Sequence, residues 1–178
     1  MKKVAVIYKS RYGGAKLYAE QIAKQLDADL FSLDTLPRYL LHSYDTIIWG
    51  GGIYAGRIDG LQKLVPLLPS LQGNQLLVFS VGFTPANKTQ VLEKVREDSL
   101  GAAPWKDILF FHFVSGINYG KLSLVHKAMV ASRKLMVSLQ KSADLSHANI
   151  TFLKTYGKNN QTIDIASIAP MILAVSQI

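Results

Sequence analysis

Cysteine is missing from all 178 residues. Disulfides, thiolate metal sites, iron–sulfur clusters and a cysteine nucleophile are therefore excluded. Charged residues are sparse, at 18% against 49% hydrophobic, and that balance excludes a disordered chain. With 13 glycines and 6 prolines, the chain is neither collagen-like nor of low complexity. No uncharged run suits a membrane span. The longest, residues 64–87, carries Pro66, Pro69, Gln72, Gly73, Asn74, Gln75 and Pro85, and residues 165–178 are too few. Lys2 and Lys3 precede an apolar stretch that Lys9 and Arg11 cut short, so a signal-peptide core fails. The expectation is a soluble cytoplasmic protein that touches a membrane, if at all, on its inner face. His42, His112, His126 and His147 lack metal-ligand spacing, and no metal is expected. Ser80 lacks the G-x-S-x-G elbow of hydrolases.

Acid is also in short supply. Twenty Lys and Arg stand against 12 Asp and Glu, for a net charge of +8. Such a balance favours anionic partners. The excess is local: residues 105–158 hold 8 basic and 2 acidic groups, which accounts for +6 of it. Nucleic acid is not expected as the partner, because aromatic interleaving is sparse and no binding motif appears.

What is present is alternation. Short apolar runs at residues 4–8, 46–49, 75–81 and 108–114 read as buried parallel strands, and an alternating run at 28–33 as a fifth. Helical spacing occupies residues 15–26, 61–68, 89–95, 121–141 and 168–175, the last with Ser167 as N-cap. Residues 149–153 read as a further extended piece. This order predicts right-handed βαβ crossovers and a three-layer, doubly wound α/β domain with a five-stranded parallel sheet. Ligands in such sheets bind beyond the carboxyl ends of the strands, where strand order reverses. The loops that matter are then residues 9–15, 50–57 and 82–88.

The first of these, Lys9-Ser-Arg-Tyr-Gly-Gly-Ala15, joins the first strand to the first helix. Small residues allow close backbone approach, and amides at a helix N-terminus cradle a phosphate. Ser10 adds a hydroxyl; Arg11 and Lys16 add positive field. The loop lacks both the Walker ending and a clean G-x-G-x-x-G, so neither nucleotide hydrolysis nor a dinucleotide is expected. The second loop, Gly50-Gly-Gly-Ile-Tyr-Ala-Gly-Arg57, packs four glycines into seven residues around Tyr54. That tyrosine offers a platform for a planar ring. Phosphate recognition and a flat platform at one sheet edge suit a mononucleotide with a flat ring, FMN first. A plain βα turn and a glycine-rich surface loop are the structural alternatives.

Ser10-Arg-Tyr-Gly-Gly-Ala15 resembles the flavodoxin phosphate loop, and residues 50–57 resemble the second flavin loop. More narrowly, Ile7-Tyr-Lys-Ser-Arg-Tyr-Gly-Gly14, Gly52-Ile-Tyr-Ala-Gly56, Phe79-Ser-Val-Gly-Phe-Thr84 and Gly116-Ile-Asn-Tyr-Gly-Lys-Leu122 resemble the flavodoxin-domain family that includes quinone-linked protoporphyrinogen IX dehydrogenase. The resemblance implies strand order 2-1-3-4-5 in one domain over residues 1–178, with a basic helical insertion at about 119–147. It implies an FMN site from Ser10, Arg11, Tyr12, Gly13, Gly14, Ala15, Gly52, Ile53, Tyr54, Ala55, Gly56, Gly82, Phe83 and Thr84. In it Ser10, Gly13, Gly14 and the Ala15 amide hold the phosphate, and Tyr54 and Phe83 flank the ring. Tyr12 and Ala15 depart from the family, which usually carries small polar or hydroxyl groups there. No side chain is an obvious general base.

Three functions follow from these readings. One is an FMN-dependent oxidoreductase that oxidises a porphyrinogen-like substrate and passes electrons to a quinone or redox protein. The others are a flavodoxin-like electron carrier and a flavin-free binding module. The carrier is less expected, because ordinary flavodoxins are acidic. Over residues 121–141, Leu124, Val125, Ala128, Ala131, Leu135, Met136 and Leu139 share one helical face, while Lys127, Lys134 and Lys141 recur every seven residues on another. A basic amphipathic helix of this kind reads as a contact for an anionic membrane surface, beside the flavin edge, or as an ordinary packed helix.

Overall fold

The computed structural model describes residues 2–71, 73–101, 108–116, 119–140, 147–158 and 163–177. Ile117, Asn118 and Lys141, singled out above, lie outside the described residues, as do residues 142–146 of the expected insertion.

Strands β1 (Val4–Lys9), β2 (Asp29–Ser32), β3 (Thr46–Tyr54), β5 (Gln75–Gly82) and β6 (Leu109–Val114) pair in parallel in the order β2-β1-β3-β5-β6. A two-residue strand, β4 (Arg57–Ile58), folds back antiparallel on β3. Counted without β4, the five parallel strands follow the expected order 2-1-3-4-5. Order reverses between β1 and β3, since the chain leaves β1 toward β2 and returns to β1's other side.

The apolar runs lack a polar alternate because both sheet faces are covered. Ala5, Ile7, Ile47, Trp49 and Val78 point to one face, where they meet Leu41, Leu61, Leu64, Val95 and Leu100. The last two belong to α2 (Thr89–Leu100). Val6, Ile48, Leu77, Phe79 and Phe113 point to the other. There α1 (Gly14–Leu26) buries Ala15, Tyr18, Ala19, Ile22 and Ala23, and α5 (Ala169–Ser176) buries Met171 and Val175. Burying a side chain of this size contributes about 1.5–3 kcal/mol.

Four expectations change. Residues 149–153 are not extended: they lie in helix α4 (His147–Thr155). Isoleucine and threonine there mimic a strand, but Ala148, Leu153 and Lys154 sustain a helix, and tertiary context outweighs a short propensity signal. Residues 61–68 form 3-10 turns, Leu61–Lys63 and Val65–Leu71, because Pro66 and Pro69 prevent a regular ladder. The C-terminal helix is preceded by a 3-10 turn, Ile165–Ile168, which Asp164 caps by accepting from the Ala166 amide through Oδ1 at 3.1 Å; α5 itself follows Ile168 with no side-chain cap. Ser167 instead donates its hydroxyl to the Asp164 carbonyl at 2.6 Å. Finally, Gly50, Gly51 and Gly52 are not loop but strand, paired with β1 through Gly51 and with β5 through Gly52.

The chain forms two units, residues 1–115 with 163–178, and residues 116–162. The second holds α3 (Leu124–Ser138) and α4. Ser123 caps α3 by accepting from the His126 amide at 3.3 Å. No helix among the described residues is long and apolar enough to cross a membrane.

Candidate functional site

The parallel strands deliver three chain segments to one sheet edge. After β1 the Ser10 hydroxyl accepts from the Gly13 amide at 3.0 Å and closes a tight turn. Gly13 then adopts φ 100° and starts α1, a conformation that disfavours any side chain. Gly14 is needed for a different reason. A Cβ there would lie 2.7 Å from Ser115 Oγ at the end of β6. Ala15 is buried beneath the loop, so its side chain is packing and only its backbone faces the turn chemistry.

The β3 tip is a two-residue hairpin. Tyr54 pairs with Arg57, and Ala55 (φ 48°) and Gly56 (φ 77°) both take left-handed backbone, the signature of a type I′ turn. Upstream, the three strand glycines make room for neighbours. A Cβ on Gly50 would sit 1.9 Å from the Phe79 ring, and one on Gly51 would sit 2.3 Å from the Asp59 carbonyl oxygen. On Gly52 it would meet the Tyr54 ring at 2.8 Å. Glycine density that reads as loop therefore reflects a strand crowded by an aromatic core and a returning hairpin.

Tyr54 is the centre of the edge. Tyr12 meets it edge-on, with ring centroids 5.8 Å apart and planes at 72°. The Arg11 guanidinium lies over its ring, 4.8 Å from the centroid. Arg11 is in turn held bidentately by Asp59, through Nε to Oδ2 at 2.6 Å and Nη2 to Oδ1 at 3.2 Å. That hydrogen bond raises the Arg11 pKa, opposed by burial. Burial, helped by the charge on Asp59, pushes the Tyr54 phenol up to about 12, so it stays neutral. The positive field expected from the first loop is thus offset: Arg11 by Asp59, Lys9 by Asp34 at 2.7 Å, and Lys16 by Glu20 at 3.7 Å.

The third segment follows β5. Gly82 lets Ile53 approach, since a Cβ there would stand 3.2 Å from Ile53 Cδ1. Phe83 and Thr84 come next, both half-buried. Thr84 is tied down by a residue that sequence reading weighed only as a metal ligand. His112 Nε2 lies 2.8 Å from the Thr84 carbonyl oxygen, and Nδ1 lies 2.8 Å from Ser80 Oγ. A carbonyl only accepts, so Nε2 carries the proton and Nδ1 accepts from the buried Ser80 hydroxyl. Burial lowers the His112 pKa, opposed by its bond to Thr84, which fits this neutral tautomer. The signal was cross-strand register, Ser80 opposite His112 on β5 and β6, which no single stretch of sequence displays.

The structure therefore brings Ser10, Arg11, Tyr12, Gly13 and Gly14 beside Ile53, Tyr54, Asp59 and Gly82. Asp59 was missed because it stands outside the loop motif. Among the described residues no group of His, Asp and Glu is placed to hold a metal.

A reversal of strand order between β1 and β3 defines a doubly wound α/β protein. The chain belongs to the flavodoxin-domain family, whose model matches residues 5–145. No curated protein matches it. Solved structures similar to it include oxidised Flavodoxin 1 from Bacillus cereus, 21% identical over 62% of this chain and 84% of that one, with a TM-score of 0.41. A putative flavoprotein from Bacteroides eggerthii is 15% identical over 79% of this chain and 100% of that one, TM-score 0.45. A flavoprotein in complex with FMN from Lactobacillus acidophilus is 14% identical over 63% and 93%, TM-score 0.41.

Proposed function

We propose that the protein binds FMN noncovalently at this edge and acts as an oxidoreductase. It takes two electrons and two protons from a reduced small molecule of the porphyrinogen type and passes them to a quinone-type acceptor. The observation that carries the reading is the meeting of the Ser10–Gly13 turn with the Tyr54 ring at the β1/β3 reversal, in a flavodoxin-domain chain. The residues present fit such a ligand. A left-handed glycine opens a helix N-terminus for a phosphate, and an aromatic ring with glycine beneath it offers a flat surface. FMN supplies the redox chemistry, and the chain supplies binding and electrostatics.

Ser10 and the Gly13–Ala15 turn hold the phosphate end; Gly52 lets the Tyr54 ring lie close against β3, and Gly82 does the same for Ile53. Phe83 and Thr84 complete its border, and His112 fixes Thr84. Arg11 occupies one face of Tyr54, so a ring stacking on that face displaces the guanidinium.

The first test is optical. Protein purified under nondenaturing conditions carries a flavin absorption spectrum, or acquires one on addition of FMN. Colourless protein that takes up no FMN overturns the proposal in favour of a flavin-free module. Anaerobic turnover of protoporphyrinogen with a panel of quinones then separates a dehydrogenase from a carrier.

A further inference from the structure

The apolar side of α3 is not packed. Leu124 is 84% exposed, Leu139 78%, Val125 and Met136 69% each, and Leu135 63%. Ala128 and Met129 are exposed with them. At 100° per residue these seven side chains fall within about half of the helix circumference. The buried side belongs to Val130 and Val137 alone. Side chains that a packed helix would turn inward thus face outward, in a contiguous strip larger than scattered surface apolars explain.

Cations border the strip. Lys127 and Lys134 lie along one margin and Arg133 along the other. They are braced by rings from within the same unit. Lys127 Nζ is 5.7 Å from the Tyr119 centroid, Lys134 Nζ 4.3 Å from Tyr156, and the Arg133 guanidinium 4.9 Å from Phe152. Tyr119 and Tyr156 are themselves packed, with centroids 5.3 Å apart. Rings brace a cation without neutralising it. Residues 116–162 contain seven Lys and Arg and a single acid, Asp144, so the charge has almost no internal counterpart.

We infer that α3 is an interfacial helix that docks on the surface of an anionic phospholipid bilayer. Leucine, valine and methionine side chains enter the headgroup boundary, and the flanking Lys127, Arg133 and Lys134 meet lipid phosphates. Charge selects this occupant over a second copy of the chain, because face-to-face α3 helices would set the lysine rows together with no carboxylate between them. The inference stands independently of the flavin.

The test is co-sedimentation of the full chain with phosphatidylcholine vesicles, with and without phosphatidylglycerol. Binding is expected only to the anionic vesicles and falls steeply with salt, as charges screened within a Debye length require. Each lysine near the surface is worth about fivefold in partitioning. Lys127→Glu/Lys134→Glu should therefore lower binding by at least about twenty-five-fold. Leu124→Ser/Leu135→Ser/Leu139→Ser should lower it by a similar factor at unchanged circular dichroism, since these side chains are exposed. Indifference of the wild type to anionic vesicles overturns the inference. So does wild-type binding by the leucine variant, or a solution dimer that the leucine variant dissociates while vesicles remain unbound.

Discussion

At the residue scale, the site edge is governed by backbone conformation and by one histidine. Ala55 holds φ 48° in a turn that prefers glycine or asparagine. Left-handed backbone costs an alanine about 1–2 kcal/mol, partly offset by the extra freedom glycine has when unfolded. Ala55→Gly should therefore stabilise the protein by about 0.5–1 kcal/mol, read as a higher urea midpoint at constant slope. Gly50→Ala should do the reverse, losing about 1–3 kcal/mol, because Phe79 is fully buried and its ring cannot retreat. His112 adds a pH dependence. Its folded pKa lies below the ordinary 6.5, so the unfolded chain binds the proton more readily. Stability is then lost as pH falls below about 6.5 and levels off once the folded pKa is passed. Urea titrations of wild type across that window should show this slope, and His112→Gln should flatten it.

At the element scale, one hydroxyl ties the chain's last segment to the sheet, alongside its apolar contacts and the Ser115–Ile163 bridge. Tyr18 on α1 donates to the Val114 carbonyl oxygen at 2.6 Å and accepts from the Asp164 amide at 3.0 Å. Its ring stacks on Phe113, with centroids 4.9 Å apart. The Asp164 carboxylate then caps the turn that leads into α5. Tyr18→Phe keeps the stack and strands a carbonyl and an amide. The expected cost is about 1–3 kcal/mol, accompanied by faster amide exchange in α5 than in α1. Equal exchange in the two helices would mean that α5 is held by its apolar contacts alone.

At the scale of the whole molecule, the segment between β6 and α5 leaves and rejoins the first unit at one place. Ser115 and Ile163 form an antiparallel bridge there. Replacing residues 117–161 with a short flexible linker should leave cooperative thermal unfolding intact, because the junction is already closed by that bridge and by Tyr18. The variant also sheds six of the eight net charges. It should lose vesicle binding while retaining any uptake of FMN, and a variant that cannot fold would show that residues 116–162 are integral to the core.

Much of this was legible in residue order. Uninterrupted apolar runs such as residues 4–8 state burial on both faces, and their spacing by helical stretches leaves a parallel doubly wound sheet as the simple solution. The Ser10–Gly14 turn and Tyr54 stood out because unusual backbone needs unusual residues. Other features depend on what lies across a strand or hairpin. Gly50–Gly52 look like loop until Phe79, Asp59 and Tyr54 are seen filling the space a Cβ would take. Asp59 reaches Arg11 across 48 positions, and His112 reaches Ser80 only through strand register. The apolar face of α3 was visible as a pattern, yet whether it turns inward is a matter of packing. Periodicity along a chain determines which side chains share a face. Only the tertiary structure decides what that face meets, because contact energies between distant residues leave no mark on local order.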